Sequence, residues 1–278
     1  MSDLKSNDKI YCKIDGRLAQ FKKWTSTQAD WDNIWLASNI EKILNKKISN
    51  LGEIECIKNF LPIEGKILEA GCGTGWIVQA LSVNGYDIEG IDYAEKSIAL
   101  INKIAPQLSI RLGNIFSIAV PDNYYSAYIS LGVLEHNLEG PSKGLKEAFR
   151  VLQPGGISVF TVPYLNKARE NLLNKLDDIN DHNPSLSFYQ YYFSQTEFSH
   201  YLIQAGFEII EVVPIGLYYG LKENNAIFSY FEKHNFFHWR LRNFIYKACM
   251  SSSDFLRWGS GHMLLFICKK NNVLNNGG

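Results

Sequence analysis

The stretch from Ile67 to Gly75, Ile-Leu-Glu-Ala-Gly-Cys-Gly-Thr-Gly, constrains this chain more than any other. It reads as an apolar strand ending in an acidic residue, then a glycine-rich turn, then a helix-like stretch from Trp76 to Asn84. Gly71, Gly73 and Gly75 let the chain turn with positive φ angles and leave bare backbone for a ligand to lie against. The following helix aims its unpaired N–H groups at that floor, which favours electron-rich atoms and carboxylates. The spacing is Gly-x-Gly-x-Gly, not the Gly-x-Gly-x-x-Gly of dinucleotide binders, and Glu69 stands two residues ahead of the first glycine. A carboxylate there repels a pyrophosphate and suits a cation or an amino group.

A second acid lies 17 residues past Gly75, at the end of the short apolar run Asp87-Ile-Glu-Gly-Ile-Asp92. An aspartate at the tip of the second strand is placed to accept hydrogen bonds from both hydroxyls of a ribose, so Asp92 is the expected ribose ligand. Tyr93 beside it offers a wall to an adenine ring.

With these residues the chain resembles the class I S-adenosylmethionine-dependent methyltransferases, and within them the small-molecule group that includes the ubiquinone and menaquinone biosynthesis enzymes. The resemblance runs from Lys66 to Pro163 and takes in three more stretches. Gly113-Asn114-Ile115 stands where the family usually has Gly-Asp-Ile, whose acid receives the adenine amino group; Asn114 keeps a carbonyl acceptor but loses the charge. Leu131-Gly-Val-Leu-Glu-His136 is similar to the end of the family's fourth strand. Val151-Leu-Gln-Pro-Gly-Gly-Ile-Ser-Val-Phe160 is similar to the turn entering its fifth.

The resemblance implies a Rossmann-like α/β fold, a doubly wound seven-stranded sheet of order 3-2-1-4-5-7-6 with the last strand antiparallel. It implies S-adenosylmethionine as cofactor, with S-adenosylhomocysteine as its product. Glu69, Gly71, Cys72, Gly73 and Gly75 are the residues expected at its amino-acid end. Asp92, Tyr93, Asn114, Ile115 and Leu131 are those expected around its nucleoside. The implied activity is methyl transfer to an oxygen, nitrogen or carbon nucleophile of a small molecule, with a sugar or secondary-metabolite intermediate as candidates.

Twenty-eight basic residues balance twenty-eight acidic ones, so no long-range field concentrates nucleic acid, and none is expected as a partner. The five cysteines form no Cys-x-x-Cys, the N-terminal residues are polar, and no run of about 18 apolar residues occurs. These features fit a reducing cytoplasm and give no support to a transmembrane segment. Alternating strand and helix patterns argue for a parallel sheet covered on both faces. Strands are expected at Lys66–Ala70, Asp87–Ile91, Ser109–Leu112, Tyr125–Leu131, Ile157–Val162, Glu208–Val213 and His262–Lys269. Helices are expected at Leu51–Leu61, Glu95–Ala105 and Thr196–Ala205.

Residues 1–49 read as an N-terminal helical cap, with Ala29 to Trp35 as a helix over the cofactor mouth. Residues 50–270 read as the catalytic domain, and 271–278 as a flexible tail. Helical lid insertions at about 164–193 and 215–261 are expected to form the acceptor site, because insertions at the carboxyl edge of a sheet carry specificity. Trp31, Tyr189, Tyr191 and Tyr192 are the candidate acceptor ligands, since such rings join apolar area to a polar handle. The stretch 236–250 reads as an aromatic lid helix, and its basic residues leave peripheral membrane contact open.

His136 and His182 are the candidate general bases. No metal is expected. Glu135-His136 is similar to the end of a Glu-x-x-Glu-His metal site found in some quinone-biosynthesis methyltransferases, but Gly132 replaces the first glutamate and leaves a divalent ion too few oxygens. Removing the Glu135 carboxyl is therefore expected to change activity little. Cys72 reads as a small residue fitting a tight turn. Two other classes stay open: a non-catalytic methyltransferase-like scaffold, and a nicotinamide-dependent oxidoreductase, against which the glycine spacing argues.

Overall fold

A computed structural model describes residues 9–22, 27–44, 52–177, 187–224, 228, 230 and 254–271. The core is a seven-stranded sheet. Its strands are β3 (Ile67–Ala70), β4 (Ile88–Asp92), β5 (Ile110–Leu112), β6 (Tyr125–Leu131), β7 (Leu152–Pro163), β9 (Phe207–Ile215) and β10 (Met263–Lys270). They lie in the order β5-β4-β3-β6-β7-β10-β9. The first five run parallel, and β10 inserts antiparallel to both β7 and β9, with Phe266 opposite Phe160 and Val212. Counted by position in the core, this is the expected order 3-2-1-4-5-7-6.

Burial explains the centre of the sheet. All four residues of β3 are buried, as a strand covered on both faces requires. The helices α3 (Trp76–Val83), α4 (Glu95–Ile104), α5 (Ser142–Val151) and α7 (Gln195–Gln204) supply the covering layers. Gly90 lets α3 come close to β4, since a Cβ there would meet Val78 Cγ2 at 2.8 Å and Cys72 Cβ at 2.9 Å. Lys270, 5% exposed at the end of β10, donates to Asn123 Oδ1 and to the carbonyls of Phe149 and Leu152, so its charge is buried with partners.

The structure corrects three expectations. Leu51–Leu61 holds a 3-10 helix over Gly52–Ile57 in place of an α-helix. Only Ile57 and Leu61 of its second half are buried, and two anchors one turn apart do not demand more. β7 begins at Leu152, five residues early, because Leu152 pairs with Tyr125 across a register shift. The N-terminal cap is not wholly helical. Its described part opens with a hairpin, β1 (Ile10–Ile14) and β2 (Arg17–Lys22), to which β8 (Ser187–Tyr191) from the insert after β7 adds a third antiparallel strand.

The hairpin turns at Asp15-Gly16, both with positive φ, which is the chemistry of a two-residue turn. One face of this small sheet, with Cys12, Ile14, Ala19, Phe21 and Tyr191, joins the main core. The hairpin is followed by α1 (Gln28–Ala37), at the place expected for a cap helix, and by α2 (Ile40–Leu44). The insert after β7 also carries α6 (Lys167–Leu173), and α8 (Leu217–Asn224) follows β9. The stretch 236–250 and the tail from 272 lie outside the described residues. No described helix is long and apolar enough to cross a membrane.

Candidate active site

The site lies at the carboxyl ends of β3, β4 and β6, where the strand order reverses direction and a crevice must open. A cavity of about 400 Å³ occupies it, within the range of small-molecule sites. The turn after β3 is held from below. Gly71 and Cys72 donate their N–H groups to the carbonyl of Ile91, and Gly75, with φ 75°, starts α3. Gly71 has φ 83° and a Cβ there would strike Val133 Cγ2 at 2.5 Å. Gly73, at φ 50°, lies bare against Trp35, whose ring a Cβ would meet at 3.0 Å. Here glycine serves both the backbone angle and the close approach.

Asp92 ties this turn to the next strand. Its Oδ2 accepts from Gly73 N–H at 2.8 Å and its Oδ1 from Ala94 N–H at 3.0 Å. The backbone N–H of Tyr93 also favours its charged form; lone-pair capacity still remains on its oxygens for a ligand's hydroxyls, and the residue lines the cavity although it is 4% exposed. Burial raises its pKa against the lowering effect of these backbone donors.

Glu69 lies beneath the glycine turn, 3% exposed. It accepts a hydrogen bond from Val78 N–H, and its Oε2 finds no partner among the described residues. Burial pushes its carboxyl well above the usual range, so an added cation would restore the ionised form. Cys72 is equally buried. Burial and the charges of Glu69 and Asp92 raise its thiol well above the ordinary value, which makes it inert as a nucleophile.

The roof is α1, docked by its own sequence. Thr27 and Asp30 form a reciprocal capping box at its start. Asp32, 3% exposed, crosses to α4 and accepts from Ser97 N–H at 2.9 Å and Ser97 Oγ at 3.1 Å, capping the first turn of that helix. Gln28 donates to the carbonyl of Tyr93 at 2.6 Å. So fixed, α1 lowers Trp31 and Trp35 onto the cavity, their rings stacked 5.7 Å apart.

The far wall is the turn after β6. His136 lines the cavity and meets Trp31 edge-on at 4.7 Å and Tyr189 at 4.8 Å. Its Nδ1 stands 2.6 Å from the carbonyl of Tyr189, an atom that only accepts, so the ring proton belongs on Nδ1. Burial holds the ring at about 4, neutral at ordinary pH.

The structure therefore brings Gly71, Asp92, Tyr93, Asn114, Ile115, Leu131, Trp31 and His136 to one cavity. Glu69, Cys72, Gly73 and Gly75 form its underlayer. Asn114 lines the wall with part of its capacity spent, because its Oδ1 already accepts from Phe116 N–H at 2.9 Å, leaving one lone pair for a ligand.

Tyr191 and Tyr192 are corrections: each is 1% exposed and neither reaches the cavity. Tyr191 faces the core and donates to the carbonyl of Leu138, while Tyr192 donates to Gln20 Oε1 under the guanidinium of Arg169. Tyr189 stands apart because the register of β8 against β2 skips it, and such a bulge re-aims a side chain. It stacks behind Trp31 at 6.3 Å, next to the cavity but not among the residues that line it. His182 lies outside the described residues. Sequence reasoning passed over Phe116, Val133 and Asn137 as cavity residues, and named Trp35 only as part of the cap. The four-residue spacing of Trp31 and Trp35 on one helix face was a usable signal.

Residues 68–160, which contain the glycine turn, Asp92 and the turn after β6, match the family described as a methyltransferase domain. This stretch is a methyltransferase domain. A probable S-adenosylmethionine-dependent methyltransferase of Mycolicibacterium smegmatis is 28% identical to the chain over 163 residues, which is 58% of each protein. Demethylmenaquinone methyltransferase of Chlorobaculum parvum is 28% identical over 114 residues, 41% of this chain and 46% of that one. The chain spans about half the length of the curated relatives it matches. Among solved structures, an S-adenosylmethionine-dependent methyltransferase from Methanosarcina mazei has a TM-score of 0.54 at 20% identity, covering 78% of this chain and 97% of that one. A possible histamine N-methyltransferase from Thermotoga maritima has a TM-score of 0.51 at 17% identity, covering 88% and 100%. At such identities the likeness speaks for the fold of the methyltransferase domain.

The cofactor of such a domain, S-adenosylmethionine, fits the residues present. The unpartnered Oε2 of Glu69 is suited to an ammonium group, the start of α3 to a carboxylate, and the remaining lone pairs of Asp92 to a ribose.

Proposed function

We propose that the chain is an S-adenosylmethionine-dependent methyltransferase that methylates an oxygen, nitrogen or carbon nucleophile of a small molecule, with a sugar or secondary-metabolite intermediate as candidates. The observation that carries this reading is the pair of buried carboxyls around one glycine turn. Asp92 grips the turn with hydrogen-bonding capacity left over, and Glu69 lies beneath it with an oxygen unpartnered. A polar arrangement buried this deeply with capacity unspent is the form of a binding site.

When bound, the cofactor supplies a methyl carbon already activated by its positive sulfur. The protein's part is to align donor and acceptor and to exclude water, and positioning supplies roughly 7–11 kcal/mol in favourable cases. Trp31 and Trp35 cover the cavity, and Gly71, Val133, Leu131 and His136 line the rest of its wall.

The test is calorimetric titration with S-adenosylmethionine, S-adenosylhomocysteine and NADH, followed by incubation with methyl-labelled cofactor and a panel of phenols, sugars, amines and carboxylates. Binding of the two adenosyl compounds with label transfer to an acceptor supports the reading. Adenosyl binding with no transfer to any acceptor returns the scaffold alternative, and NADH binding alone overturns the reading.

A further inference from the structure

Glu135 is the most unusual residue of the site that cofactor binding leaves unused. It lies on the turn after β6, between cavity residues Gly132 and His136, and is 2% exposed. Its Oε2 finds no hydrogen-bond partner among the described residues, and its Oε1 stands 3.8 Å from His136 Nε2. Nδ1 of that ring is committed to the carbonyl of Tyr189, which leaves Nε2 as the nitrogen with a lone pair. A distance of 3.8 Å is longer than a hydrogen bond, and catalytic hydrogen bonds are commonly long in ligand-free sites and tighten in the complex.

We propose that Glu135 and His136 act as one proton-accepting pair at the acceptor end of the cavity, so that the site serves an acceptor whose hydroxyl loses its proton as it is methylated. This rests on the methyltransferase reading above and deepens it. In the step, the hydroxyl oxygen's lone pair forms the new bond to the methyl carbon. The carbon–sulfur bonding pair returns to sulfur and neutralises it, and the hydroxyl proton passes to the pair. An amine that is already deprotonated needs no such group.

The surroundings agree. Burial lifts Glu135 to about 8 and holds the His136 ring at about 4, so beside the fixed Nδ1 proton of the neutral ring the pair's titrating proton rests on the carboxyl, and it leaves near the pH at which a base is useful. Among the described residues, the titratable groups facing the pair are Lys22 of β2, whose charge disfavours a protonated ring, and Tyr189 of β8, whose hydroxyl feels the Glu135 charge. Lys22 Nζ lies over the Tyr189 ring, 3.1 Å from its centroid. Burial, with Lys9 second, lowers Lys22 to about 8. The carbonyls of Tyr189 and Gly132 favour a charged ring, but burial outweighs them. From α1 the pair meets Trp31, which carries no charge, and Met263 at the start of β10 lies near Gly132. On this proposal Glu135 matters to activity, against the expectation from sequence, and the ground is an orphaned, buried carboxyl that sequence does not reveal.

The experiment is nitrogen-15 and carbon-13 NMR of the histidine rings in the full chain, saturated with S-adenosylhomocysteine, titrated from pH 5 to 10, in wild type, Glu135→Gln and His136→Asn. His136→Asn assigns the ring. The expected result is a neutral, Nδ1-protonated ring throughout, with an inflection near pH 8 in its shifts that disappears in Glu135→Gln while S-adenosylhomocysteine affinity stays within about threefold. An ordinary histidine titration between pH 6 and 7, or an inflection that persists in Glu135→Gln, overturns the pair. Failure of S-adenosylhomocysteine to bind wild type sinks the methyltransferase reading instead, and the titration then still decides the pair. With an acceptor from the labelling panel, Glu135→Gln is expected to lower kcat at least 100-fold with little change in KM and to lose the rise in rate with pH. Unchanged kcat refutes the proposal.

Discussion

Replacing Asp92 with alanine removes the acceptors of two backbone N–H groups at once, those of Gly73 at 2.8 Å and Ala94 at 3.0 Å. Hydrogen bonds to a charged group contribute about 1.5–3 kcal/mol each, so two bracket about 3–6 kcal/mol. Part of that is offset, because burial penalises the carboxylate itself and outweighs its donors in setting the pKa. A net loss of about 2–3 kcal/mol in folding stability is the working figure. The substitution Asp92→Asn keeps one carbonyl acceptor but turns an amide NH₂ toward the other donor, so it should recover only about half of the loss. Ligand affinity should fall further than stability. Two ribose hydrogen bonds unmade at about 1–3 kcal/mol each correspond to a weakening of S-adenosylhomocysteine binding by at least about tenfold. Urea unfolding followed by tryptophan fluorescence measures the first quantity and calorimetry the second. Wild-type unfolding midpoints together with wild-type affinity in Asp92→Ala would refute the role assigned to this carboxylate.

Three other perturbations probe the scaffold. Glu223→Gln leaves the Arg169 guanidinium, 3% exposed, without its charged partner and should cost about 3 kcal/mol, near the low end for breaking a buried pair. Burial alone would raise Glu223, but its hydrogen bond with His262 and the charges of Arg169 and Lys9 win and hold it well below the usual range. Its stabilising contribution is therefore complete above the unfolded value of 4.5 and is lost as pH falls through the folded value, so the gap between wild type and variant in urea should stay constant from pH 8 to 5 and narrow below. Asp32→Ala uncaps α4 and undocks α1, so stability should fall by about 1–2 kcal/mol while adenosyl affinity drops as Trp31 and Trp35 loosen; unchanged affinity in calorimetry would separate the cap from the cavity. Gly71→Ala must carry a φ of 83° and a Cβ 2.5 Å from Val133, and should abolish detectable S-adenosylhomocysteine binding, with wild-type titration as the contrary result.

Much of the site was legible because its signals are local. A glycine turn between a strand and a helix, and an acid at the tip of the next strand, need only a few adjacent residues, and Gly71 and Asp92 line one cavity. The hairpin β1–β2 was equally local, an Asp15-Gly16 turn between short strands, and was passed over in favour of the tryptophan-rich helix that follows it. Its third strand was not local. β8 joins β2 across more than 160 residues of chain, and hydrophobic pattern alone names no partner for an isolated run of aromatics.

What the sequence by itself determined is therefore the methyltransferase core: the strand and helix pattern, the turn and the acid that grips it, each set by backbone conformation and short-range periodicity. The tertiary structure decided which neighbours share an environment. Tyr189, Tyr191 and Tyr192 are nearly adjacent in the chain, yet a bulge turns the first toward His136 and sends the other two into the interior. Glu135 reads as an ordinary acid beside a histidine until the surrounding elements strip it of solvent and of partners. Desolvation is a property of everything packed around a group, and no stretch of its own sequence encodes it.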